Sequence, residues 1–330
     1  MTNLKVGLIG LGMMGKNHLR ILSSLEGVDL VGVADPLAKV DITREIKGHE
    51  NFTEYRELLD QGLDYCVIAA PTGFHREISV AALNRGVNCL IEKPVSVNYK
   101  EALEIKVAAD KAKKLVGIGH IERYNSAIRQ LKRRLLDGDL GAIYQISLRR
   151  QGPFPSRIAD VGVVKDLATH DIDLATWLSE SLFASVNAQT THRSGREHED
   201  LVSINGKLQN GVVVNLLVNW LSPLKERSLV VTGDKGAFVV DTLNSDLTFY
   251  ENGSHEVSQD SFLHFKGVKQ GSVTTFAFNK PEPLQVEHEN FRDKLLGKES
   301  NIATLLEGIE TARVADAVIE SSKLGQSIRL

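Results

Sequence analysis

Leu4-Lys5-Val6-Gly7-Leu8-Ile9-Gly10-Leu11-Gly12-Met13-Met14-Gly15 is the stretch that decides how this chain folds. Leu4 to Ile9 is short and rich in branched apolar residues, as a strand buried on both faces of a parallel sheet requires. The glycines that follow suit a tight turn, close approach of backbone to a pyrophosphate, and close packing of the next helix on the strand. Helix-terminal N–H groups at that turn favour negative charge. Further along, Val28-Asp29-Leu30-Val31-Gly32-Val33-Ala34 reads as a second strand, and Asp35 stands at its end, twenty positions after Gly15. A carboxylate there bonds the adenosine ribose 2′-hydroxyl and repels a 2′-phosphate, which favours NAD over NADP. Strand, glycine loop, helix, strand and acid in that order are far more specific than the glycines alone.

The alternation continues through the first third. Strands are expected near 4–9, 28–34, 64–70, 87–91 and 115–119, and helices near 13–24, 54–60, 74–85 and 99–113. This is the pattern of a doubly wound α/β Rossmann sheet, where ligands gather beyond the carboxyl ends of the strands. Ala70-Pro71-Thr72, Glu92-Lys93-Pro94 and Gly119-His120 fall at those ends. After a helix near 125–137 the strands lengthen, near 142–151, 183–193, 200–208, 211–221, 226–232, 236–241 and 246–251. Helices near 167–179, 284–296 and 304–323 complete the pattern, and Asn210-Gly211 and Asp234-Lys235-Gly236 are hairpin signals. We therefore expect an NAD-binding domain over 1–122. Residues 123–330 should form an α+β domain with a largely antiparallel open sheet, helices on one face, serving substrate binding and oligomerisation. Residues 253–283 show little periodicity and read as a long loop or partner contact.

At 330 residues the chain is long enough for two cores. A formal charge of −3 gives no electrostatic argument for nucleic acid or a membrane surface. Met1-Thr2-Asn3 runs straight into the first strand, so no signal peptide is expected and a cytoplasmic location follows. The longest apolar stretch, Val212 to Leu221, is interrupted by Asn215 and Asn219 and is too short to span a bilayer. Cys66 and Cys89 lie in apolar, strand-like runs and read as reduced core thiols. No CxxC, His–Cys cluster or HExxH occurs, so no metal site is expected.

Two places could carry chemistry. Lys93, between Glu92 and Pro94 at a strand end, is either a substrate contact beside the cofactor or a solvated lysine. Pro94 keeps Lys93 out of helical dihedrals. In Asp166-Leu167-Ala168-Thr169-His170 the acid and the imidazole share one helix face if residues 166–178 are helical. Histidine suits proton transfer near neutrality, and a carboxylate can orient it. The plainer reading makes Asp166 a helix N-cap and His170, Asp171 and Asp173 a polar face. His120 is a cleft residue or a packed one. His75 supports the cofactor loop, and Arg157 is either a phosphate clamp or a surface arginine.

Together these motifs resemble the Gfo/Idh/MocA family of sugar and cyclitol oxidoreductases over essentially the whole chain. The resemblance is carried by Gly10-Leu11-Gly12-Met13-Met14-Gly15, Ala70-Pro71-Thr72 with His75, Glu92-Lys93-Pro94, Gly119-His120-Ile121-Glu122-Arg123-Tyr124-Asn125, and Asp166 with His170. It implies bound NAD(H), held by the glycine loop with Met13 and Met14, by Asp35, by Ala70, Pro71, Thr72 and His75, and by Glu92 and Lys93. It also implies that Lys93, Asp166 and His170 act on a sugar hydroxyl, with His120, Tyr124, Asn125 and Arg157 near the substrate. A homodimer or homotetramer joined through the second sheet is a further implication. Within the family, Gly152-Pro153-Phe154-Pro155 leading to Asp166–Asp173 looks most like the UDP-N-acetylglucosamine 3-dehydrogenases. A myo-inositol or aldose dehydrogenase is the alternative within the family. A non-catalytic NAD-sensing or sugar-binding protein is the alternative from another class. The family's glycine cluster ahead of its Asp-xxx-His segment is replaced here by Asp160-Val161-Gly162-Val163-Val164-Lys165.

Overall fold

The computed structural model describes residues 3–37, 50–154, 161–253 and 269–330. They fall into two compact units. The first comprises 1–124, 157–173 and 281–316, and the second 125–156, 174–280 and 317–330. Segments 157–173 and 281–316, from beyond the boundary drawn at 122, thus group with the N-terminal part of the chain.

The first unit is built on a six-stranded sheet of β1 (Leu4–Ile9), β2 (Val28–Ala34), β3 (Glu50–Phe52), β4 (Tyr65–Ile68), β5 (Asn88–Glu92) and β6 (Val116–Gly119). Its order is β3-β2-β1-β4-β5-β6 and every pairing is parallel. Burial explains the apolar runs: all four residues of β4 have no exposure at all. Helices cover both faces. On one lie α2 (Tyr55–Leu59), α3 (His75–Asn84) and α4 (Tyr99–Ala112), whose Ile78, Leu83 and Ile105 pack with Ile68 and Ile91. On the other lie α1 (Met13–Leu22) and α7 (Pro283–Leu295), where Leu22 and Phe291 pack with Val6, Leu8 and Val67. Residue choice follows close packing: a Cβ on Gly117 would come within 2.8 Å of the Phe291 ring. Each such fully buried side chain contributes roughly 1.5–3 kcal/mol through burial. β3 escaped the sequence reading because it is a three-residue edge, too short to show a period.

The second unit carries a nine-stranded sheet. Its strands are β7 (Ile143–Pro153), β8 (Phe183–Thr191), β9 (Leu201–Leu208), β10 (Val213–Asn219), β11 (Leu221–Gly233), β12 (Gly236–Asp241), β13 (Asp246–Gly253), β14 (Lys269–Thr275) and β15 (Ile328–Arg329). The order is β14-β13-β12-β11-β7-β10-β9-β8-β15, antiparallel except where β10 runs parallel to β7. Alternation in β9, with Val202, Ile204, Gly206 and Leu208 buried and Ser203, Asn205 and Lys207 exposed, is that of a sheet covered on one face. The helix α5 (Ser126–Leu136) packs against β12 and β13. From the end of α8 (Leu305–Leu324), Ser321 and Ser322 accept hydrogen bonds from the backbone of Ala188 and Thr190. One expectation is corrected: part of the supposed loop 253–283 is β14, an exposed edge strand of mostly polar residues, Lys269-Gln270-Gly271-Ser272-Val273-Thr274-Thr275. Its pairing to β13 comes from backbone bonds, and with no buried face it shows no apolar alternation.

Candidate active site

The strand order of the parallel sheet reverses between β1 and β4, which places the turns after these strands side by side. The glycine loop follows β1. Gly10 has φ +96°, and a Cβ there would stand 2.6 Å from the Ala69–Ala70 peptide; a Cβ on Gly15 would stand 2.0 Å from the Gly10 carbonyl oxygen. Both glycines are therefore required by the chain's own packing. Gly12 differs: among the described residues nothing lies within 4 Å of its Cβ position. Gly12 also caps α1 without any side-chain hydrogen bond, and the first turn carries no acid. The first N–H groups of α1 have no acceptor within the helix. Together these features fit a pyrophosphate. Met13 opens α1, 60% exposed, and Met14 Sδ accepts a weak bond from Asn17.

Asp35 closes the loop from the side. Its Oδ2 accepts the Leu11 N–H at 2.6 Å and its Oδ1 the Leu37 N–H at 2.8 Å. The carboxylate is thus held at the end of β2 with lone pairs left for a ribose hydroxyl. After β4, Ala70 and Pro71 lead into a single 3₁₀ turn, Thr72–Phe74. His75 bridges this loop to the next strand end, with Nε2 2.8 Å from the Ala70 carbonyl oxygen and Nδ1 2.9 Å from that of Pro94.

Lys93 follows β5, and the Lys93–Pro94 peptide is cis. The ammonium donates to the backbone oxygen of Asp166 at 2.6 Å and to Asp166 Oδ1 at 2.9 Å. Asp166 is 6% exposed, and its Oδ2 has no hydrogen-bond partner among the described residues. Two N–H groups of Lys93 are engaged, so a third is left for a ligand oxygen. Asp166 is not a helix N-cap. It lies inside a π-helical turn, Val164–Ala168, that runs straight into α6 (Thr169–Ser179), whose second residue is the buried His170.

That turn is anchored on both sides. Lys165, one residue before Asp166, donates to Asp316 Oδ1 at 2.6 Å and to the carbonyl of Val97. Asp316 Oδ2 in turn accepts the Tyr99 N–H at the start of α4. Further along α6, Asp173 takes a two-pronged bond from Arg123, at 2.6 and 2.8 Å, and Arg123 also reaches Glu307 at 2.7 Å. Removing one member of so buried a pair costs about 3–5 kcal/mol. Neither anchor was visible in the sequence, because each joins residues far apart along the chain.

The remaining expected substrate contacts separate. His120 is 2% exposed and lies 3.7 Å from Asp173, in a packed position. Burial lowers its pKa, with the nearby Asp173 carboxylate pulling the other way. The buried Tyr124 donates its hydroxyl to the Asn301 carbonyl at 3.3 Å. Asn125 caps α5, its Oδ1 accepting the Ala127 N–H and its Nδ2 donating to Thr242 O and Ser245 Oγ. Both were expected at the substrate; their polar atoms bond backbone groups and, for Asn125, the Ser245 hydroxyl as well. The Arg-Tyr-Asn run is polar by composition, which is why packing roles looked like binding ones. Arg157 lies outside the described residues.

Beneath Lys93, Glu92 is 7% exposed. Its Oε2 accepts the Lys93 N–H at 3.1 Å and its Oε1 accepts His18 Nε2–H at 2.9 Å. Burial works against the charged form, yet the His18 bond, with Lys93 and His75 nearby, keeps its pKa below the ordinary carboxyl value. The neighbouring Glu287 is pushed well above that value by burial and by the Glu92 charge, so Glu92 holds the charge and Glu287 the proton.

Two models of known families match the chain. The oxidoreductase family with an NAD-binding Rossmann fold, Gfo/Idh/MocA, matches residues 4–120, and the Gfo/Idh/MocA C-terminal domain matches residues 128–239. A UDP-N-acetylglucosamine 3-dehydrogenase of Acidithiobacillus ferrooxidans is 27% identical over 97% of this chain and 96% of its own length. The NAD(+)-dependent scyllo-inositol 2-dehydrogenase of Bacillus subtilis is 30% identical over 99% and 96%. The solved structure of the Acidithiobacillus ferrooxidans enzyme, GnnA, superposes with a TM-score of 0.85 at 26% identity, covering 98% of this chain and 99% of that one. Among the described residues no helix is long and apolar enough to cross a membrane. With a reversed parallel sheet, a glycine loop fitted to a pyrophosphate and full-length relatives of this kind, the chain belongs to the Gfo/Idh/MocA family of oxidoreductases and carries its NAD-binding Rossmann domain.

Proposed function

We propose that this protein oxidises a secondary hydroxyl of a sugar with NAD, and that its substrate is the 3-hydroxyl of UDP-N-acetylglucosamine. The observation that carries the reading is the Lys93–Asp166 pair, held at the end of β5 one helical turn from His170. NAD, when bound on the glycine loop and Asp35, supplies the acceptor for the carbinol hydrogen and its electron pair. His170 takes the hydroxyl proton as general base. Lys93 donates its remaining N–H to the same oxygen and limits the charge that builds there. Asp166 fixes the ammonium from two sides, through its backbone oxygen and its carboxylate.

The nucleotide-sugar assignment is supported by the relative of 27% identity and by the Gly152-Pro153-Phe154 run that ends β7. A second reading, an inositol dehydrogenase, is favoured by the 30% identity to the scyllo-inositol enzyme. Residues 123–330 serve substrate binding and assembly in this proposal, and the protein works as a cytoplasmic homodimer or homotetramer. The test is direct. Purified protein is mixed with NAD and, separately, UDP-N-acetylglucosamine, other UDP-sugars, inositols and free or phosphorylated hexoses, and reduced nicotinamide is followed by absorbance. Turnover is expected with UDP-N-acetylglucosamine. Preference for a free polyol selects the second reading, and silence across the panel leaves an NAD- or sugar-binding protein without catalysis.

A further inference from the structure

The helix that receives the cofactor's pyrophosphate and the strand end that carries the lysine are joined by one imidazole. His18 sits on α1, four residues past the first turn's Met14, and is completely buried. Its Nε2–H donates to Glu92 Oε1 at 2.9 Å, and Glu92 Oε2 accepts the backbone N–H of Lys93 at 3.1 Å. The other side of the ring is fixed too, with Nδ1 2.8 Å from Nε2 of His288 on α7, and the rings edge to face at 84°. Burial and the neighbouring His18 hold His288 well below the usual histidine pKa. One proton shared between His288 Nε2 and His18 Nδ1 satisfies His18 at both nitrogens. A pair of histidines and a carboxylate sealed beneath a sheet is costly to bury. Packing alone offers no reason for it: apart from the neighbouring buried Glu287, the side chains packed on this face are largely apolar.

We propose that His18 and Glu92 are positioning residues that set the place of Lys93 from the cofactor-binding helix, His18 holding Glu92 and Glu92 holding the Lys93 backbone. The inference rests on the role given to Lys93 above. Because Glu92 bonds the backbone and Asp166 bonds the ammonium, the lysine is fixed at both ends. Loss of the His18 bond frees the Glu92 carboxylate to turn away from the Lys93 backbone N–H. The backbone end then loosens while Gly10, Gly12 and Gly15 remain as they are. Misplacement of a reacting group by about 1 Å costs on the order of 10²-fold in rate.

The experiment compares His18→Leu, of similar volume but without a donor, and His18→Gln, whose amide N–H reaches Glu92. Two readouts are taken. The first needs no substrate: a limiting pulse of acetic anhydride on the NAD-free protein, with acetylation of Lys93 measured by peptide mass spectrometry and normalised to exposed lysines. The second is turnover, with the NAD dissociation constant measured alongside. His18→Leu is expected to label Lys93 several-fold faster than wild type and to lose about 10²-fold in kcat with NAD affinity unchanged. His18→Gln should return both toward wild type. Equal labelling of Lys93 in wild type and His18→Leu would overturn the proposal, as would equal defects in the two variants. If wild type turns over no sugar, the functional reading fails while the labelling comparison still decides this one.

Discussion

Lys93 Nζ lies 2.9 Å from Asp166 Oδ1 and 2.6 Å from the backbone oxygen of the same residue, so one aspartate grips the ammonium twice. The pair is mostly hidden from water, with side-chain exposures of 15% and 8%. An ammonium held in this way keeps its direction while one N–H stays available.

Lys93→Met should therefore do two separable things. It removes the donor to the substrate oxygen, and it strands a buried carboxylate at a cost of about 3–5 kcal/mol. Adding Asp166→Leu should recover most of the lost stability in urea unfolding while turnover stays absent. Restored turnover in the double variant would show that the pair holds the fold and takes no part in the chemistry.

His170→Ala should lower turnover by roughly 10²–10⁴, the usual worth of a general base, with NAD affinity nearly unchanged. His170 sits at the second position of α6, far along the chain from the glycine loop, so cofactor titration separates the two effects. Normal turnover in the variant removes His170 from the scheme.

Asp35→Ala should weaken NAD and relax discrimination against NADP, measured as the ratio of dissociation constants. Because Asp35 also accepts the Leu11 and Leu37 N–H groups, some loss of thermal stability should accompany it. Asp35→Asn is the control that keeps a side-chain acceptor for the loop while losing the charge. An unaltered cofactor ratio in both variants would show that the ribose is recognised elsewhere.

Glu287 gives a pH signature. Its pKa in the folded protein is raised, first by burial and then by the Glu92 charge, above the ordinary value of 4.5. The folded state therefore holds this proton after the unfolded chain has released it. The resulting stability is fully present below about pH 4.5 and fades as pH rises toward the raised pKa. Glu287→Gln, a neutral amide in place of a neutral acid, should gain on wild type in melting temperature steadily as pH rises from about 4.5. A difference that does not change with pH would place the charge on Glu287 instead of Glu92.

Much of the first unit was legible because its signals are local. The strands β1, β2, β4, β5 and β6 are apolar runs bounded by glycine, proline or charge, and a parallel sheet buried on both faces produces such runs. The edges were not legible: β3 and β15 are three and two residues long, and β14 has no buried side to alternate against. The same division holds at the site. Lys93, Asp166 and His170 stand out as reactive side chains beside turn residues. Glu92–His18–His288 and Lys165–Asp316 do not, since their members are separated by up to 270 positions and only the fold brings them together. Tyr124 and Asn125 show the converse. Their side chains are polar enough for a binding site, and only coordinates reveal that backbone carbonyls and N–H groups have already claimed them.

The three loop glycines differ in what forbids a larger residue. Gly10 and Gly15 are barred by neighbouring backbone, so alanine at either disturbs the empty protein. Among the described residues Gly12 meets only open space, so its lack of a side chain serves the visitor and not the host. An alanine there should leave melting behaviour intact and deny the coenzyme its seat. One methyl group would thus leave a folded scaffold that no longer takes up its coenzyme, a clean background against which to judge every other substitution.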